Sequence, residues 1–154
     1  METYKDCLVL TKEDFDENGL YNGPFEVSNL VNCDVEIDKG LGAITFRKPD
    51  DKPTDLGALC TTGYVLVGKG TDLNVHGHFY AKTLITKGSI YCTQNMGVGT
   101  LRVNGNVICE ANVQVVKSFY VGGRIVTPRL RLSSLEIQMP QRYHAEQSKP
   151  NKKG

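Results

Sequence analysis

The sequence predicts an all-β, single-domain fold, a three-sided parallel β-helix with about 17–18 residues per coil. Three observations predict it. First, a motif of the form bulky–x–(β-branched or Cys)–x–Gly–x–apolar recurs as LNVHGHF from Leu73, LITKGSI from Leu84, LRVNGNV from Leu101 and FYVGGRI from Phe119. The last three heads stand 17 and 18 residues apart, and a shorter echo, LEI, begins at Leu135. Second, each step carries a six-residue beat: Leu84, Ile90, Met96 or Val98; then Leu101, Val107, Val113; then Phe119, Ile125, Leu130. Val67, Leu73 and Phe79 continue it backwards. Third, positions one and three of each block are apolar, so they share one face of a strand. Fixed repeats that bury their apolar faces against neighbouring repeats mark a solenoid, and three short strands per turn make it triangular. A β-sandwich would space its strands at no fixed phase. A βαβ fold would need amphipathic helices, which do not occur after residue 24.

In chain order, residues 1–24 read as an N-terminal cap or tail, with a short strand at Cys7–Leu10 and an acidic turn at EDFDENG. The solenoid is expected over 25–138. Its first coils, from Phe25 to Phe46, are degenerate, with heads at Val35 and Leu41. A loop insertion at 47–57 follows, marked by two prolines and a run of charges. Residues 139–154 leave the repeat and are expected to form a disordered basic tail. In all, the pattern allows five or six coils.

The register predicts stacks. Leu84, Leu101, Phe119 and Leu135 form one column; Ile90, Val107 and Ile125 a second; Val75, Thr86, Val103, Val121 and Ile137 a third. Cys92 and Cys109 hold one position in successive coils, at a spacing that permits a disulfide but suits a dry column of buried thiols better. Asn95 and Asn112 should form a corner ladder. The glycine near position five is read as the residue that turns the corner with dihedrals that others resist.

The 154 residues suit one domain with a real core. Five cysteines without a C-x-x-C give neither a disulfide framework nor a zinc signature. No export signal is read at the N-terminus, so reduced thiols and a cytoplasmic location are expected. The net charge of +1 hides a split: residues 1–55 hold thirteen acids and six bases, and residues 56–154 four acids and twelve bases. Such a polar molecule has ends that attract each other or an acidic partner.

Little in the sequence points to catalysis. His76 and His78 in VHGH are read as sharing an outward face, and no third ligand is apparent, so neither a metal nor a cofactor is expected. The glycines of VGKGTD lack the context of a phosphate loop. Hexapeptide-repeat acyltransferases share the six-residue step and use a histidine base at a trimer interface. Here, however, position three is bulky or β-branched at Val75, Val103, Val115 and Val121, and the protruding arm is missing. Arg102, Tyr120 and Arg124 offer a possible ligand face. An outward ladder of Tyr80, Tyr91 and Tyr120 would be the signature of a glycan-binding or phage-fibre-like module, the alternative function.

The stretches VHGHFYAKTLITKGSI, LRVNGNVICEANVQV and FYVGGRIVTPRLRL, within residues 64–138, resemble the bactofilins, bacterial cytoskeletal proteins. The resemblance implies a right-handed three-sided β-helix, nucleotide-free polymerisation end to end, and association with the inner face of the membrane. The chain departs from that family in its long acidic N-terminal segment and in the insertion after Phe46. The expectation is a non-catalytic structural protein that self-associates through its solenoid ends, with an assembly interface at Leu130, Leu132, Leu135 and Ile137. Its partners are expected to be copies of itself and an acidic membrane surface, with no nucleic acid.

Overall fold

A computed structural model describes residues 7–23, 33–47 and 57–133. It is a β-solenoid built of parallel strands, with about four turns in its regular part. The strands in chain order are β1 (Cys7–Leu10), β2 (Asp34–Ile37), β3 (Gly42–Arg47), β4 (Leu59–Cys60), β5 (Tyr64–Val67), β6 (Thr71–His76), β7 (Phe79–Thr86), β8 (Ile90–Cys92), β9 (Met96–Val103), β10 (Val107–Cys109), β11 (Asn112–Val121), β12 (Ile125–Val126) and β13 (Arg129–Leu132). A short 3-10 turn at Lys12–Asp14 is the one helical element among the described residues.

The strands lie on three sides. The first side stacks β1, β2, β5 and the second halves of β7, β9 and β11, pairing Leu8 with Val35, Val35 with Val65, Val65 with Leu84, Leu84 with Leu101 and Leu101 with Phe119. The second side stacks β3, β6, β8, β10 and β12, through Ile44, Leu73, Ile90, Val107 and Ile125. The third side stacks β4, the first halves of β7, β9 and β11, and then β13, through Leu59, Phe79, Met96, Val113 and Leu130. One sheet therefore carries both the third and the first sides, because β7, β9 and β11 bend from one onto the other without a break.

Alternation fills the core. Inward residues such as Val35, Val65, Leu84, Leu101, Phe46 and Val107 are fully buried. Phe46, Phe79 and Phe119 supply one large ring from each side. A buried Val, Leu or Phe contributes on the order of 1.5–3 kcal/mol, so this column holds the coils together where helix propensity and long-range loops cannot.

The expected first and second columns are present over the described residues. The third needs correction. Thr86, Val103 and Val121 do stack, but Val75 pairs with Cys92 on the second side. LNVHGHF spells the same motif one side out of phase. Likewise Val67 pairs with Thr86, so the head of that coil is Val65. In the early coil the inward head after Val35 is Ile44, paired with Leu73, while Leu41 is only half-buried. The turn through Gly40 and Gly42, at φ +72° and +73°, inserts the extra residues that shift the phase.

The difference between the 17- and 18-residue steps has a local cause. Val98 pairs with Val115, but Thr100 pairs with Ser118, so β11 carries a bulge between Val115 and Ser118. That one extra residue makes Leu101 to Phe119 longer than Leu84 to Leu101.

The N-terminal segment both extends the sheet and caps it. β1 pairs in parallel with β2. The chain then turns back: Phe15 and Tyr21 bridge each other, and Leu20 bridges Thr45 of β3. Both rings pack on Phe46, with centroids 5.7 and 5.3 Å away. They close the end of the core on the second side. At the start and end of the expected insertion, Arg47 belongs to β3, where it pairs with His76, and Gly57 is buried. Leu135, Ile137 and the basic tail lie outside the described residues.

Candidate functional site

Two of the three corners are held by columns of polar groups. Between the first and second sides, the Asp72 carboxylate accepts the Ser89 N–H (2.8 Å), the Ser89 hydroxyl accepts the Asn106 N–H (2.9 Å) and the Asn106 amide oxygen accepts the Arg124 N–H (2.8 Å). Between the second and third sides, His78 Nδ1 accepts the Asn95 N–H and Asn95 Oδ1 accepts the Asn112 N–H, both at 3.1 Å. The Asn95–Asn112 ladder was legible in the sequence. The Asp72–Ser89–Asn106 column was not, because its members differ in type, although each immediately precedes a second-side head. Corner N–H groups that cannot join a strand ladder still need an acceptor, and these side chains supply it.

The corner glycines act through space, not through their dihedrals, which corrects the expectation for three of the four. Gly77 has φ +149°. Gly88, Gly105 and Gly123 do not need a left-handed conformation; what they need is the absence of a side chain. A Cβ on Gly105 would lie 2.6 Å from the Gly88 carbonyl oxygen, and one on Gly123 2.6 Å from that of Gly105. Their N–H groups bond those same carbonyls at 2.9 Å.

On the inner side of the second corner, Cys92, Cys109 and Thr127 point side chains at backbone carbonyls one coil back. Cys92 Sγ donates to Gly77 O (3.2 Å), Cys109 Sγ to Gln94 O (2.9 Å) and Thr127 Oγ1 to Ala111 O (2.8 Å). Cys92 pairs directly with Cys109, and both thiols are free and buried. The hydrogen bond with Cys109, reinforced by burial, pushes the Cys92 thiol far above the ordinary range. Cys92 is thereby a structural donor, held away from the thiolate form that reacts.

His76 and His78 do not share a face. His76 ends β6, exposed, with its ring 6.2 Å from Tyr91. His78 lies past the Gly77 corner, stacked on Tyr80 at 5.7 Å and committed to Asn95. No group of three His, Cys, Asp or Glu side chains converges on a metal position among the described residues. Asp14, Asp16 and Asn18, followed by Gly19, have the D-x-D-x-N-G spacing that opens a calcium loop. Here Asp14 Oδ2 accepts the Thr11 N–H, and Asp16 Oδ1 accepts those of Asn18 and Leu20. The spacing builds a hydrogen-bonded turn beside an open cleft of about 490 Å³ that reaches Gly40 and Ile44.

The outward faces divide the tyrosines. Tyr120 stands on the first side beside Arg102, in a column with Ile85 and Leu66. Tyr91 stands on the second side and hydrogen-bonds Glu110; Tyr80 stands on the third, leaning over Gly97. They form no ladder. Of the proposed ligand face, Arg102 and Tyr120 are neighbours, while Arg124 lies at the corner beyond, its N–H on Asn106.

The two ends of the described solenoid differ. The N-terminal end has the aromatic closure of Phe15 and Tyr21 and an exposed acidic rim of Glu13, Asp16 and Glu17. At the C-terminal end, β13 pairs only with β11 among the described residues. Its inward residues Leu130 and Leu132 are half-buried, and its outward residues Arg129 and Arg131 are exposed. Among the described residues, no helix is long and apolar enough to cross a membrane. Comparison of the chain with known protein families, characterised proteins and solved structures finds no match.

Proposed function

We propose that this chain is a non-catalytic structural protein that self-associates through the ends of its solenoid, in the manner of the bactofilins it resembles. The observation that carries this reading is the half-open face of the last described coil. In every earlier coil the third-side inward positions are buried: Leu59, then Phe79 and Ala81, then Met96 and Val98, then Val113 and Val115. Only at Leu130 and Leu132 are they left partly open, on a strand with one edge unpaired among the described residues. Such an edge is a template for another chain, and a second copy laid on it would bury both leucines. The polar side chains that might have served chemistry, His78, Asn95, Asp72 and Asn106, are engaged by backbone N–H groups instead. This supports a scaffold over an enzyme. The basic C-terminal coil also suits an acidic membrane surface, and a cytoplasmic site at the inner face of the membrane belongs to the same proposal.

Negative-stain microscopy of the purified protein tests it. Filaments or strings of rods are expected; lone particles at all concentrations would overturn the reading, and stable trimers with His76 or His78 at the boundary would revive the acyltransferase.

A further inference from the structure

We propose that copies of this chain join head to tail, the basic last coil of one docking on the acidic cap of the next. The inference rests on the self-association proposed above and gives it a polarity. Residues 7–23 carry Glu13, Asp14, Asp16 and Glu17 against Lys12 alone. Residues 111–133 carry Lys117, Arg124, Arg129 and Arg131 with no acid at all. The division holds over the whole sequence, with net charges of −7 in residues 1–55 and +8 in residues 56–154.

The fold turns this sequence asymmetry into an axial one. The acidic turn sits over β3, at the first described layer, and the arginines of β13 lie in the last described one. Five strand spacings separate β1 from the end of β11, which is roughly 24 Å at one strand per coil. That is well beyond the Debye length of about 8 Å at physiological salt, so the two ends of one molecule do not neutralise each other. A neighbour can. Joining two last coils would set Arg129 and Arg131 against their own copies, and joining two caps would set Glu13 and Glu17 against theirs. Like charges brought together in an interface are disfavoured. Only the mixed contact pairs opposite signs. It also brings apolar surface from both ends together, Leu130 and Leu132 on one side, Phe15 and Tyr21 on the other, all partly buried. A contact between unlike surfaces directed along an axis does not close on itself, so it propagates.

Two double variants test the polarity. R129Q/R131Q removes the basic end, and E13Q/E17Q the acidic rim; all four side chains are exposed, and circular dichroism checks that each variant keeps the wild-type fold. Sedimentation velocity is run on the wild type, on each variant alone and on their equimolar mixture. The wild type should assemble, and more weakly as salt rises. Each variant alone should sediment as a single copy, its association weakened about tenfold or more. The mixture retains one intact junction and should stop at a heterodimer. Homodimers of either variant alone, or variants that assemble like the wild type, would overturn the polarity while leaving self-association standing. A wild type that is a single copy throughout would overturn both.

Discussion

Gly105 lies directly on Gly88, its N–H 2.9 Å from the Gly88 carbonyl oxygen, and a Cβ added to it would fall 2.6 Å from that same oxygen. The corner is thus as narrow as a hydrogen bond between bare backbones. Gly105→Ala should force adjacent coils apart and cost about 1–3 kcal/mol, the usual penalty of overpacking. Gly40→Ala makes the contrast: nothing lies within 4 Å of its added Cβ, but φ is +72°, so its cost of about 1–2 kcal/mol is conformational. Urea midpoints of both variants measure these losses. An unchanged midpoint for Gly105→Ala would mean that the column can part freely.

The buried thiols should be inert in the native protein. Cys92 and Cys109 are 0% and 2% exposed and hydrogen-bonded to backbone carbonyls. Reaction with an aromatic disulfide reagent should label neither until denaturant is added, whereas half-buried Cys7 and Cys60 should react first, slowed because burial raises both thiols. Cys109→Thr should be tolerated within about 1.5 kcal/mol, since Thr127 already fills that column position with the same donor geometry. Fast labelling of Cys92 in the folded protein would contradict this.

Tyr91 should titrate late. The hydrogen bond to Glu110, with lesser help from burial, raises its phenol above the usual range. A folded pKa above the unfolded value means that the pair stabilises the fold below about pH 10, the unfolded tyrosine value, and that this contribution is lost as pH rises through the folded pKa. The difference titration between wild type and Tyr91→Phe should show the raised phenol, and Glu110→Gln should move it back down. A Tyr91 titration indifferent to Glu110→Gln would remove the link.

The inward columns were legible because a strand's two-residue alternation and a corner every six residues are local patterns. Leu84, Leu101 and Phe119 announce themselves by spacing alone. Phase was harder. The motif reads alike wherever it starts, so LNVHGHF looked like a first-side block and sent Val75 to the wrong column. The early coils were hard for a different reason: Leu8, Val35 and Val65 stack but are 27 and 30 residues apart, and no fixed period survives such insertions. The corner ladder of Asp72, Ser89 and Asn106 hid behind its mixed residue types; what its members share is an acceptor atom at 17-residue steps. The histidines misled because a strand reading ignores the corner at Gly77, which sends His78 onto the next side.

Sedimentation of the wild type against Leu132→Glu asks whether the last described coil is an interface. The wild type is expected to form assemblies whose size grows with concentration. Leu132→Glu, a charge placed on a half-buried position of β13, is expected to sediment as a single copy with an unchanged circular dichroism spectrum. A wild type that remains a single copy at the highest concentration reached, or a folded Leu132→Glu that assembles as the wild type does, would contradict an interface there.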